Sequence, residues 1–135
     1  MAVGASAVCI TEAGSISAGT LVSTGTISGN AVLTGTNTVA TVGALNLTGT
    51  LTLKDTGAPT IAGTVAGASA TIVVPSLTIA SGGVLNVGSI TITTSAGGVT
   101  ETGTGQIITN SISIATTGSG DVSLKNPNNQ ILASN

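Results

Sequence analysis

The chain has no phenylalanine, tyrosine, tryptophan, histidine or arginine, and charged residues make up only 4% of its 135 residues. Each absence closes a route to function. Without aromatic rings there is no platform on which a base can stack, nor, by the same geometry, a sugar ring. Lys54 and Lys125 stand against Glu12, Asp55, Glu101 and Asp121, for a net charge of −2. No row of phosphates could be neutralised, so nucleic acid is not an expected partner. With no histidine and one cysteine there is no zinc-ligand spacing. Cys9 has no intrachain disulfide partner and is expected to be a small buried hydrophobe.

Long apolar runs are missing as well. Residues 13–53 and 56–100 carry no charge, yet Thr, Ser, Asn and Gly interrupt them every few positions, far short of the roughly twenty apolar residues of a spanning helix. No membrane span is expected. The N-terminal MAVGASAVCI has no basic region and no convincing apolar stretch, so it does not read as a secretory signal.

What the chain does have is glycine and β-branched residues. Twenty glycines separate short runs rich in Thr, Val and Ile, residues that favour extended structure, and no window shows the three-and-four apolar spacing of a helix. Alternation of period two recurs at Ala44–Thr48, Thr50–Lys54, Ser76–Ala80, Ser89–Thr93, Ser111–Ala115 and Asp121–Lys125. These read as strands with one aliphatic and one hydroxyl face. Glycine-centred breaks, Gly35, Gly67 and Gly88 among them, fall about every seven residues, and three such steps make one turn of a three-sided coil of about twenty residues. Strands of three to five residues are too short for a sandwich.

The expected fold is therefore all-β: a parallel β-helix (β-solenoid) of about 20 residues per coil, with six or seven coils and a length of roughly 30 Å. Residues 1–135 form one domain, read as a fragment or unit of a longer array. The expected core comprises Leu21, Ile27, Val32, Val39, Leu45, Leu47, Leu51, Leu53, Ile61, Val65, Ile72, Val74, Leu77, Ile79, Leu85, Val87, Ile90, Ile92, Ile107, Ile112, Ile114, Val122, Leu124 and Ile131. Pro59 and Pro75 are placed at bends, because proline cannot donate to a ladder. Lys54-Asp55 is expected to form a solvated corner.

The chain also restates its own beginning. Ile10-Thr11-Glu12 aligns with Val99-Thr100-Glu101, Gly29–Leu33 with Gly120–Leu124, and Asn37–Ala40 with Asn129–Leu132. Glu12 and Glu101 thus mark similar places about four coils apart. Glu101, Asp121 and Lys125 are expected at surface or junction positions.

Chemistry is sparse. The four carboxylates are spread over more than a hundred residues, whereas glycoside hydrolysis needs two within several ångströms. Gly118–Val122 holds one imperfect unit of a calcium-binding nonapeptide and is expected to be a turn with Asp121 exposed. Gly103-Thr104-Gly105 lacks the third glycine of a dinucleotide loop, with Ile108 in its place. No catalytic, cofactor-binding or metal residue is assigned, no cofactor is expected, and the chain is not expected to be an enzyme. The Thr-x-Thr units at Thr24, Thr34, Thr48, Thr50, Thr91 and Thr102 are the most notable surface pattern. Several centre on glycine and are placed at bends.

The words ITEAGSISAGTL, NTVATVGALNLTGTLTLKDTGAPTIAGTVAGASATI, VTETGTGQI and GDVSLKNPNNQI, spanning Ile10 to Ile131, resemble the central repeats of filamentous haemagglutinin-like exoproteins of two-partner secretion. More loosely they resemble autotransporter adhesin passengers. The resemblance implies a right-handed parallel β-helix shaft, extracellular or at the cell surface, with no catalytic residues to carry over. The family's N-terminal secretion domain has no counterpart here, and Asn126-Pro127-Asn128-Asn129 only echoes its NPN words. Open coil ends lead to the expectation of a fibre or adhesin-stalk unit that associates end to end as a homopolymer and could meet a host or matrix surface. The alternatives are a Thr-rich ice-binding solenoid and a functional amyloid-like matrix protein.

Overall fold

The computed structural model describes residues 1–3 and 9–132; the final 133–135 of the second repeated block lie outside the described residues. No helix occurs among them. The strands are β1 (Ala2–Val3), β2 (Ile10–Thr11), β3 (Ser17–Ser23), β4 (Thr26–Ile27), β5 (Ala31–Val42), β6 (Leu45–Leu47), β7 (Thr50–Asp55) and β8 (Thr60–Ile61). They continue as β9 (Thr64–Val74), β10 (Leu77–Ile79), β11 (Val84–Thr94), β12 (Val99–Glu101), β13 (Gln106–Thr109), β14 (Ser111–Thr116), β15 (Val122–Ser123) and β16 (Gln130–Ile131).

Pairing is parallel throughout, and each residue lies against one about twenty positions away. Ile10 pairs Ala31, Ala31 pairs Leu51, Leu51 pairs Ala70, Ala70 pairs Ile90 and Ile90 pairs Ile112. The chain winds into a β-solenoid of about 6 turns, roughly 30 Å long at the usual strand spacing. Face one holds β2, β7, β14, the start of β5 and the ends of β9 and β11. Face two holds β3, β8, β10, β12, β15 and the end of β5, and face three holds the rest apart from β1.

The alternation that predicts strands also builds the core. Ala31, Leu51, Ala70 and Ile90 form one buried column, and Leu33, Leu53, Ile72 and Ile92 the next. Small residues alternate with large ones in the first column, so the side chains fill the interior without overlap. Most expected core residues are buried there, and the differences share two causes. Val32 faces outward and is half-buried, because Ala31 and Leu33 take the inward positions; a slip of one residue reverses the face of a strand. Ala31, Leu33, Val42, Ala70 and Val99 join the core. In the last coil Ile112, Ile114 and Leu124 are only partly buried, and Val122 and Ile131 are exposed, since no further coil among the described residues covers them. Cys9, expected to be buried, is exposed, lying just ahead of the first coil.

The corners differ from expectation in one respect. Gly35, Gly67 and Gly88 do not break strands: β5, β9 and β11 run through them from one face to the next. Pro59 and Pro75 do stand at bends, one before β8 and the other before β10, on the same corner of successive coils. At the corner between faces two and three, Ala80–Gly83 is a tight turn closed by Gly83 N–H donating to Ala80 O at 2.8 Å. Gly82 sits there at φ 83°.

These two glycines are needed for different reasons, and substitution separates them. Gly82→Ala has room for its methyl but a left-handed backbone, and should cost about 1 kcal/mol. In Gly83→Ala the methyl would run into the backbone oxygen of Ile61 one coil below, so the loss should be at least twice as large. Denaturant midpoints compared with the parent chain measure both.

Candidate functional site

A backbone turning a corner leaves N–H groups that must find acceptors, since an unpaired buried N–H is costly. Three charged or amide side chains supply acceptors between faces one and two. Asp55 Oδ2 accepts from Val39 N at 2.7 Å and Asp55 Oδ1 from Gly57 N at 2.6 Å. Directly below Asp55 in register is Asn37. Its Oδ1 accepts from Ile16 N at 2.7 Å, and its Nδ2 donates to Lys54 O and to Glu12 Oε2, both at 3.0 Å. Glu12 Oε2 also accepts from Gly35 N at 2.6 Å. Asn37 is fully buried and Asp55 nearly so.

A second cluster stands between faces two and three near the other end. Glu101 Oε2 accepts from Asn126 N at 2.9 Å and from Asn129 Nδ2 at 3.0 Å. Asn129 Oδ1 accepts from Ile107 N at 2.8 Å, and Asn126 Nδ2 donates to Gly105 O at 2.6 Å. Glu101 occupies an inward column whose preceding members are Leu21, Val42, Ile61 and Ile79.

The two clusters share one design. A glutamate oxygen receives one backbone N–H and one asparagine amide from the following coil, and that asparagine's oxygen receives a backbone N–H from the glutamate's own coil. Hydrogen bonds to an ionised acceptor are about twice as strong as neutral ones, so each cluster clasps one coil to the next. In both, the second oxygen, Oε1, is buried and has no hydrogen-bond partner among the described residues.

The sequence repeat encodes this clasp. Glu12 aligns with Glu101 and Asn37 with Asn129, and this repeat is the one sequence signal that points to the two asparagines, whose roles the sequence alone does not assign. The corner is not the same, however. Ile90 lies four coils above Ile10, whereas Val99, its partner in the repeat, is on the next face. The clasp is reused one third of a turn further round.

Two expectations about charge are corrected. Asp55 is buried, not part of a solvated corner, because the Val39 and Gly57 amides need its oxygens; only Lys54 is exposed. Glu101 is 8% exposed and held by Asn126 and Asn129, so it is not a surface position, while Asp121 and Lys125 are exposed. Among the described residues no three His, Cys, Asp or Glu side chains gather as a metal site would require, and no helix is long and apolar enough to cross a membrane.

Face one carries the other ordered feature. On its outside Thr52, Thr71, Thr91 and Ser113 stack in register, and beside them Thr50, Ser69, Ser89 and Ser111 form a second column. Thr50 Oγ1 and Ser69 Oγ lie 2.8 Å apart. The hydroxyls repeat at about 4.8 Å along the axis and about 6.6 Å across it. Reading only Thr-x-Thr hides this array, since serine fills half the positions. Thr24, Thr48 and Thr102 do begin bends or turns, and Thr34-Gly35-Thr36 lies within β5.

Compared with known proteins, the chain matches no family model, no curated protein and no solved structure.

Two substitutions with opposite outcomes test the account of the corners. Asp55→Ala strands the buried amide of Val39 and the partly buried amide of Gly57, and should lower stability by about 3 kcal/mol. Thr94 is fully buried above Val74 in the same column, and its Oγ1 has no hydrogen-bond partner among the described residues. Thr94→Val should therefore raise stability by about 1 kcal/mol. Chemical denaturation of both variants gives the two signs directly.

Proposed function

We propose that this chain is a structural unit of an extracellular fibre or adhesin stalk, whose copies stack end to end, coil on coil. The observation that carries the reading is the edge of the last coil. β14, β15 and β16 each pair with a strand of the coil below, and among the described residues none has a strand on its other side. All three edges face the same end, beside the exposed Val122, Ile131 and Leu132. Unpaired strand edges recruit further strands. Because pairing is parallel, a second copy adds head to tail, a contact that does not close on itself and so yields a filament.

The near absence of charge supports stacking, since little repulsion opposes it. The resemblance of Ile10–Ile131 to exoprotein repeats supports an extracellular place and a role at a host or matrix surface. The clasping carboxylates bond to backbone and amide groups, which favours a structural reading of them over a catalytic one. Electron microscopy and fibre diffraction of concentrated protein should show filaments with an axial repeat of about 30 Å per chain. A repeat of about 4.8 Å per chain would point to an amyloid-like stack instead. Dispersed monomers alone would overturn the proposal.

A second reading rests on the hydroxyl columns of face one. Flat hydroxyl arrays with a fixed two-dimensional repeat can order water, and this one spans four coils with Lys54 beside it as the charged neighbour. On that reading a dilute solution shows thermal hysteresis, and Thr71→Lys abolishes it while leaving the circular dichroism spectrum unchanged.

A further inference from the structure

We infer that β1 is a removable cover on the edge to which a second copy adds. The inference rests on the end-to-end stacking proposed above, and identifies both the docking surface and what blocks it. The first coil consists of β2, β3 and β4, and each of these pairs with a strand of the coil above. Among them β3, seven residues long, is the longest edge at this end. Its last part is already occupied. Ala2 pairs Val22 and Val3 pairs Ser23 in parallel, and Val22 N–H donates to Met1 O at 3.0 Å.

One rung of a parallel stack, about 4.8 Å deep, holds one strand. An incoming coil that presents β14, β15 and β16 of a second copy would need the rung where β1 lies. β1 has to leave before the coil can seat. The exchange favours assembly once it begins, because two residues of β1 are replaced by three strands, and the partly buried Ile112, Ile114 and Leu124 of the incoming coil gain a covering layer. The cover therefore slows the first contact more than it weakens the finished filament, so it acts on nucleation and on growth from this end.

The test uses full-length chains. Val3→Cys with Ser23→Cys, in a Cys9→Ser background, places two thiols on directly paired residues, a separation that a disulfide spans. Mass spectrometry confirms whether the bond forms in the monomer. With the bond closed, filament growth followed by light scattering should slow at least tenfold, and reduction should restore it. Val3→Pro removes an N–H from β1 and should shorten the lag several-fold without changing the filament repeat. Equal growth of the oxidised and reduced forms would overturn the cover while leaving stacking intact, and so would a disulfide that does not form. If neither the parent chain nor Val3→Pro makes filaments, the stacking reading fails and this inference fails with it.

Discussion

Every coil in this molecule is templated by the hydrogen bonds of the one beneath it. A residue's surroundings are therefore set by its column, and what stands about twenty positions away in the sequence becomes its nearest neighbour in space. This accounts for the unusual composition. Like charges stacked at one strand spacing repel, so a charged side chain survives only beside a neutral one: Asp55 over Asn37, Lys54 beneath Val73, Glu101 over Ile79. Bulky rings would have to be accommodated in rung after rung. Threonine, serine, valine, isoleucine and glycine are the residues that can be repeated in this way.

The same constraint concentrates difficulty at the corners. On the faces, the ladder satisfies the backbone and the side chains alternate freely. Where the chain turns, the ladder is interrupted, and the molecule uses two solutions. One is glycine, which lets backbone pass close over backbone, as at Gly83 above Ile61. The other is a buried carboxylate or carboxamide that takes the place of a missing carbonyl acceptor, as Asp55 does for Val39 and Gly57. These polar groups are not a chemical apparatus added to the fold; they are part of what allows it to turn.

The faces were legible in the sequence, as were the corners marked by Pro59 and Pro75, but the buried polar groups of the corners were not. Alternation of period two in Thr50–Lys54 or Ser89–Thr93 specifies both the strand and its buried side, and glycine spacing specifies the length of a coil. Val32 misled because it is the largest β-branched residue in its run, although its neighbours Ala31 and Leu33 are the ones aligned with the inward Leu51 and Leu53. Asp55 and Glu101 misled for a different reason. Charge implies solvent in a single sequence, and apart from the local Gly57 amide the demand that reverses this comes from amides on adjacent coils, sixteen to twenty-eight residues away. Only the repeat of Glu12 and Asn37 as Glu101 and Asn129 points to it, and the contacts between coils give that repeat its purpose.

The one-third turn between the two clasps also has a mechanical meaning. A tube stapled along a single seam is stiff on that side and tears open along the opposite one. Here one staple joins the first coils at the seam between faces one and two, and the other joins the last coils at the seam between faces two and three. A pull that peels a coil from either end therefore meets its reinforcement on a different side of the tube.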